Sequence, residues 1–540
     1  MLVFISIYLI DRFIDNKLQS KRRRHLKDNW GLPKQNEYFN FYKIKQYFEN
    51  TDNKKDAFHV ISDQINNDLD IDDIFKYLDR TSSKIGQQYL YYKIRNIESK
   101  EKVYAFDKLV KIFENDAELR ETFQIELSKL NSYQAYDLEK LIHDKIVKPP
   151  FQKYLLPLSI SVVFVIIIGF FYPKLLILLL PLFFVNSILH YKTKNYINYY
   201  LKAVNQLNTS IDIVKKFQKF PFIKQHFGYL SFLDNIKEIR YKIKFIASEK
   251  LMSSQVLIIF WLIFELLKII FNLEAIIFYN FIDDIVKKRK EIDKLFQFIG
   301  EVDSAISVAS VKHNNKLICQ PVFINGKQIE VSEMTHPLIV NCVPNSLQLN
   351  DKSLLLTGSN MSGKTTFIRM LAVNSILAET LYFAFAEKFS IPFYKVFSSI
   401  RISDDLLEDT SYYLQEVLTI KELIIFSQKQ EPCLFVLDEI FKGTNTVERI
   451  SGGKAILSYL NNEKDIVLVS THDIELTELL SNNNFELYHF SEQIINNDEL
   501  FFDHKLKKGK LSTRNAIKIL ELYNYPKEII NDARKTEKDF

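Results

Sequence analysis

Gly358, four residues, then Gly363, Lys364 and Thr365 stand in the pattern G-x-x-x-x-G-K-[ST] inside "LLLTGSNMSGKTTFIRML". Those residue types at that spacing bind phosphate. The two glycines let the backbone curl, and the N–H groups along Ser359, Asn360, Met361 and Ser362 then point at an anion. Lys364 would reach the β and γ phosphates of a nucleotide, Thr365 would ligate Mg²⁺, and Thr366 follows it in the first helical turn. A second constellation is "CLFVLDEIFKGTNT", 433–446, an apolar run that ends in Asp438-Glu439. Asp438 there holds Mg²⁺ through water, and Glu439 orients or deprotonates the attacking water. A third apolar run, "DIVLVSTHDIEL", ends at Ser470-Thr471-His472 and brings an imidazole toward the γ-phosphate. Lys364, Glu439 and His472 are therefore the candidate catalytic groups.

Elements must position these groups. Ser353 to Leu356 reads as a buried strand and Thr365 to about Tyr382 as the helix that follows. A strand, a glycine loop and a helix N-terminus place positive potential where phosphate lies. Strands that end in acids deliver carboxylates to the carboxyl edge of a parallel sheet, where ligands bind in α/β folds.

The chain has 540 residues, a length for several domains, and 47% of them are hydrophobic, enough for large cores. Its net charge of +5 neither demands nor excludes nucleic acid. Cys319, Cys342 and Cys433 are far apart and show no metal spacing, so they read as reduced, buried thiols.

Two uncharged runs, Tyr154 to Tyr172 and Leu175 to Leu189, are separated only by Pro173-Lys174. A membrane-spanning helix needs about 20 apolar residues. Both faces of each run are apolar, unlike a core helix, which keeps a polar stripe. The reading is a transmembrane helical hairpin; the alternative is a buried helix pair in a soluble core. Basic flanks, Lys145, Lys148 and Lys153 before it and Lys192, Lys194 and Lys202 after it, put both ends in the cytoplasm. The N-terminal "MLVFISIYLI" is too short to span and lacks the marks of a signal peptide. The "KRRR" at 21–24 after it suits the tail of a span or a short surface anchor. A third run, Val256 to Ile282, carries Glu265, Lys268 and Glu274 near one face and reads as an amphipathic helix rather than a span.

The motifs together resemble the ATPase domain of the MutS family. "TGSNMSGKTTFIR", "LDEIFKGTNTVERISGGKAIL" and "VSTHDIELTEL" are similar to its three nucleotide elements, and Asn360-Met361 and Gly443-Thr444 separate it from other P-loop families. "MTHPLI", 334–339, resembles the element that opens the domain. "SSIRISDDLLEDTSYYLQEV", 398–417, resembles the signature segment, which implies that Ser411 reaches the nucleotide of the opposite subunit. "AIKILELYNYPKEIINDAR", 516–534, resembles the C-terminal dimerisation helices, and "IFKYLDRTSSKIGQQYLYYKI", 74–94, the start of the family's helical core. The departures are Asp409 where the family has Gly, Cys342-Val343 where it has an adenine-stacking aromatic, and the hairpin within the lever helices. Only about 70 residues precede the core, no room for the mismatch-reading domain.

The expected fold is an α/β P-loop ATPase domain at the C-terminus, preceded by a mostly α-helical core and lever with a transmembrane helical hairpin. The expected organisation is an N-terminal segment 1–30, helical core 31–150, hairpin 151–192, helical core and lever 193–330 and ATPase domain 331–540. The implied protein is a homodimeric ATP hydrolase using ATP and Mg²⁺ at composite sites, opening and closing helical arms, on double-stranded DNA, at the inner membrane of a bacterium with its ATPase domain in the cytoplasm. Lys287, Lys288, Arg289 and Lys290 either contact DNA phosphates or form a solvated face. The rival reading is a mechanochemical or signalling ATPase that binds no DNA and acts on membrane lipid or a membrane partner through 154–189. A transporter ATPase fits less well, because "RISGGKAIL" follows the acids instead of preceding them.

Overall fold

The two uncharged runs form helices α1, Gln152–Phe171, and α2, Leu179–Phe217, joined by a 3-10 stretch at Pro173–Leu178. In this computed structural model, residues 20–539 are described except 36, 147, 238–257, 360, 402–411, 442, 496–498, 512–516, 518, 519, 522 and 524. One unit of the fold comprises 1–52, 79–92 and 108–311, the other 53–78, 93–107 and 312–540.

In the first unit, α2 does not stop where its apolar run stops. It continues past Leu189, where Ile197, Tyr200, Val204, Leu207, Ile211 and Val214 recur at helical spacing and are all buried. The hairpin half behaves differently. Both helices are long and apolar enough to cross a membrane, and only 22% and 11% of their most apolar windows is buried. Phe164, Ile167, Phe170, Ile177, Leu180 and Phe184 are exposed. A buried core pair would hide these side chains; here they are exposed.

The third apolar run is two helices, α3, Ile258–Ile270, and α4, Leu273–Lys287, because Asn272 adopts a left-handed φ of 46° between them. Its charges do share a side, but that side faces inward. Lys268 and Glu274 are buried, whereas Ile263, Leu266 and Leu267 are exposed. The hairpin fixes this orientation. The Ser159 hydroxyl of α1 donates to the Phe271 carbonyl at 2.6 Å, and Asn186 Nδ2 of α2 donates to the Ile270 carbonyl at 2.7 Å. The end of α3 is thus held by both hairpin helices.

The stretch that resembles the family's helical core is built on buried acids. Asp79 accepts hydrogen bonds from the Thr81 N–H at 3.0 Å and hydroxyl at 2.6 Å, Gln87 Nε2 at 2.6 Å and Lys34 Nζ at 2.8 Å. Burial opposes its ionisation, yet Lys34 and these donors hold its carboxyl below the usual range. Asp303, on helix α5, Arg289–Asn314, caps the following helix by accepting from the N–H groups of Ser82 and Ser83 at 2.8 Å each.

Besides two two-stranded pairs, one of them His59–Val60 with Asn96–Ile97, the second unit carries two larger sheets. The smaller has strands β1, Val322–Phe323; β2, Gln328–Met334; β3, Asn345–Asn350; and β5, Lys388–Ile391, in the order β1-β5-β2-β3. The larger has β4, Ser353–Thr357; β6, Lys395–Ser399; β7, Cys433–Asp438; β8, Ile466–Thr471; β9, Phe485–His489; and β12, Lys507–Lys508, in the order β12-β9-β4-β8-β7-β6. All pairs in it are parallel except β9–β12. β4 and β8 are buried at every residue, as a parallel sheet covered on both faces requires. Helix α6, Lys364–Leu381, follows β4 and is buried along most of its length. Helices α7, Tyr412–Ser427, α8, Thr446–Leu460, and α9, Ile474–Ser481, follow β6, β7 and β8. Strands β10, Glu492–Ile495, and β11, Glu499–Phe502, form a separate hairpin, and α10, Lys527–Asp539, ends the described chain.

Candidate functional site

The site forms at the carboxyl edge of the large sheet, where β4, β7 and β8 end side by side in the order β4-β8-β7. β4 hands the chain to Gly358, whose φ of 150° and tight surroundings exclude a side chain: a Cβ there would lie 2.8 Å from the Phe490 carbonyl oxygen. Gly363 closes the loop at φ 110° and starts α6. Met361 is held at φ 70° and is exposed at the tip. Asn360 lies outside the described residues.

Lys364 is the first residue of α6 and is buried. Its ammonium donates to the carbonyls of Gly358 at 2.7 Å and Ser359 at 2.9 Å and stands 3.5 Å from His472 Nδ1. The Thr365 hydroxyl donates to Asp438 Oδ2 at 3.0 Å, and the Ser470 hydroxyl donates to Asp438 Oδ1. His472 Nε2 meets Glu439 Oε1 at 2.5 Å. When Nε2 donates to that carboxylate, the neutral ring presents Nδ1 as an acceptor to Lys364. A chain of contacts therefore runs from the loop lysine through His472 to Glu439, with Thr365 and Asp438 beside it. The five residues fall into two contact sets, Lys364–His472–Glu439 and Thr365–Asp438.

The backbone that aims Glu439 is unusual. Glu439 and Phe441 have φ of 57° and 61°, a left-handed region that costs L-residues about 1–2 kcal/mol each. Two contacts hold it. The Glu439 N–H donates to the Ser470 carbonyl at 2.9 Å, and the Phe441 N–H donates to Glu416 Oε1 from the buried face of α7. Arg449 of α8 grips Asp473 with both arms, at 2.9 and 2.7 Å, and fixes the turn after His472.

A pocket of about 500 Å³ opens beside the loop, lined by Lys364, Thr365, Thr366 and Glu439 and by Ile339, Val340, Cys342, Val343, Met370, Phe367, Phe490 and His504. Cys342-Val343 lines the pocket without supplying an aromatic ring; Phe367, Phe490 and His504 supply rings from elsewhere. His504 Nδ1 also contacts the Ser362 carbonyl at 3.1 Å, and the Ser359 hydroxyl donates to Glu492 Oε2 at 2.7 Å. His504, Phe490, Glu492 and the positioning residue Glu416 were not legible as site residues. The first three come from the chain after β9, where no pattern marks them. Ser411 and Asp409 lie outside the described residues, as does part of 516–534.

A glycine loop at the end of a central parallel strand, with an acid pair on the strand two places away, defines a P-loop nucleotide-hydrolase domain. The MutS domain V family matches residues 354–540. The DNA mismatch repair protein MutS of Listeria welshimeri is 30% identical over 275 residues, covering 49% of this chain and 32% of that protein. That of Petrotoga mobilis is 33% identical over 257 residues, covering 45% of this chain and 31% of its own length. That of Staphylococcus haemolyticus is 29% identical over 277 residues, 49% of this chain and 31% of that protein. Residues 354–540 thus match the MutS ATPase domain, domain V, and MutS homologues are about 30% identical over the C-terminal half, while the chain spans about a third of the length of the curated relatives it matches.

Proposed function

We propose that this chain is a membrane-anchored, homodimeric MutS-like ATP hydrolase. ATP binds at two composite sites, each made of Lys364, Asp438, Glu439 and His472 of one subunit and Ser411 of the other. The observation that carries this reading is the joining of Lys364, His472 and Glu439 in one contact chain over the pocket. The residues fit Mg²⁺: Thr365 and Asp438 are paired hard oxygens at 3.0 Å, the donor type this cation takes. When bound, the cation neutralises phosphate charge. The chain's own groups do the rest. The loop N–H groups and Lys364 bind the phosphates, Glu439 orients the attacking water and accepts its proton, and His472 holds Glu439 in place while facing the γ-phosphate.

Hydrolysis biases two states of the helical arms, because a nucleotide shifts a conformational equilibrium by its differential affinity. The hairpin 154–189 anchors the protein in the inner membrane of a bacterium, with the ATPase domain in the cytoplasm. Exposed apolar faces on α1 and α2, and charges of α3 turned inward with apolar side chains outward, are the pattern lipid favours. Double-stranded DNA is the ligand of the arms that the family suggests. Lys287 and Lys290 are exposed, but the Arg289 guanidinium is engaged by the Asp144 carbonyl. The inverted polarity of α3 favours a second reading, in which the arms act on a membrane partner and bind no DNA. One experiment separates them: ATPase rate of the detergent-solubilised chain with and without homoduplex, mismatched and branched DNA, with duplex binding followed against salt. Stimulation and a steep salt slope support DNA; turnover indifferent to every DNA supports the second reading.

A further inference from the structure

Where α2 leaves the apolar hairpin it packs against α3 and α4. Three side chains able to ligate a metal converge there, one from each helix. His190, Glu265 and Glu274 each present a ligand atom, and these atoms lie within 4.8 Å of one another. His190 Nε2 is 3.9 Å from Glu274 Oε2. His190 and Glu274 are buried and Glu265 is nearly so. Lys268, one turn along α3, places its ammonium 3.4 Å from Glu265 Oε1.

Two buried amides stand close to these residues along the chain. Asn186, one turn before His190 on the same side of α2, and Asn272, two residues before Glu274, are fully buried. Asn186 Oδ1 and both polar atoms of the Asn272 side chain meet no hydrogen-bond partner among the described residues. Buried polar atoms of this kind are normally satisfied by protein, water or an ion.

We propose that His190, Glu265 and Glu274 bind one divalent first-row transition cation, which fastens α2 to the α3–α4 turn. One imidazole nitrogen with two carboxylates is the mixed set that Zn²⁺ and its neighbours take; Ca²⁺ and Mg²⁺ prefer oxygen alone. Lys268, 3.4 Å from Glu265 Oε1, competes with the cation for that carboxylate. None of these residues belongs to the phosphate pocket, so the proposal stands apart from the ATPase reading.

The test uses the full chain in detergent, stripped with chelator and titrated with Co²⁺ and then Zn²⁺ without nucleotide. The expected result is one equivalent of Co²⁺ with visible absorption, displaced by Zn²⁺, retained in Asp438→Asn and lost in both His190→Ala and Glu274→Gln. Lys268→Gln should tighten Zn²⁺ binding severalfold, because a competing cation is removed. Should His190→Ala not fold, Glu265→Gln carries the same test with a near-isosteric side chain. The proposal is overturned if no Co²⁺ binds. It is equally overturned if binding survives in Glu274→Gln and Glu265→Gln, or if Lys268→Gln only lowers thermal stability and binds no metal. That last result would mark the cluster as an ion-pair network.

Discussion

Replacing Glu439 with Gln removes one negative charge and leaves the rest of the site standing. The carboxylate lies 2.5 Å from His472 Nε2, and its backbone is pinned by the 2.9 Å bond to the Ser470 carbonyl. Gln keeps the length and the backbone but cannot accept a proton from water. A positioned base is worth ~10²–10⁴ in rate, or about 3–5 kcal/mol in the barrier at about 1.4 kcal/mol per tenfold. Lys364, Thr365 and Asp438 are untouched, so ATP affinity should not fall; losing a carboxylate near the phosphates works in the other direction. The assay is single-turnover phosphate release beside equilibrium binding of labelled ATP. Glu439→Gly is the companion: it relieves the left-handed φ of 57° and should lose turnover as fully without losing stability. Turnover near wild type in Glu439→Gln, with binding intact, would refute the assignment of Glu439 as base or water-positioning group.

The remaining predictions concern the partner site, pH and the anchor. Mixing inactive Ser411→Ala and inactive Lys364→Ala chains should restore about half the sites' activity in heterodimers; heterodimers that form and stay inactive would show that the sites are not shared. Burial pushes the His59 imidazole down to about 4 from 6.5, opposed by its 2.7 Å bond to the Val396 carbonyl. The unfolded chain then takes up a proton that the folded chain refuses. Stability is full above pH 6.5 and falls toward pH 4 by about 1.4 kcal/mol per unit, a slope that His59→Gln should flatten in denaturant titrations. Deleting 154–189 should release the protein from membranes that retain the full chain through high-salt and carbonate washing, since two spans hold by apolar burial and not by charge. Unchanged partitioning of the deletion would assign the anchor elsewhere.

The phosphate loop, the acid pair and His472 were readable because each sits on a local pattern: an apolar run, then a polar residue at its end. Spacing within one segment is enough to place such groups at one sheet edge. His504, Phe490 and Glu492 were not readable, because they reach the pocket through long-range packing and have no periodic signature. The α3 run shows a different limit. Glu265, Lys268 and Glu274 were read as lying near one face of a single amphipathic helix, but the run breaks into two helices at Asn272, and periodicity cannot say which way a charged side faces. That was decided by Ser159 and Asn186 capping the end of α3 from the hairpin helices. The length of α2 was missed for a related reason: hydropathy ends at Leu189, whereas the buried stripe from Ile197 to Val214 carries the helix onward.

The most direct test of the account is ATP turnover by the purified full chain, wild type beside Lys364→Ala, in detergent with Mg²⁺. In the proposed site Lys364 is the cation over the phosphates, and a backbone loop alone does not replace a charge-assisted contact. The account predicts steady hydrolysis by the wild type and loss of both tight ATP binding and hydrolysis in the variant. Wild-type affinity and turnover in Lys364→Ala would contradict it.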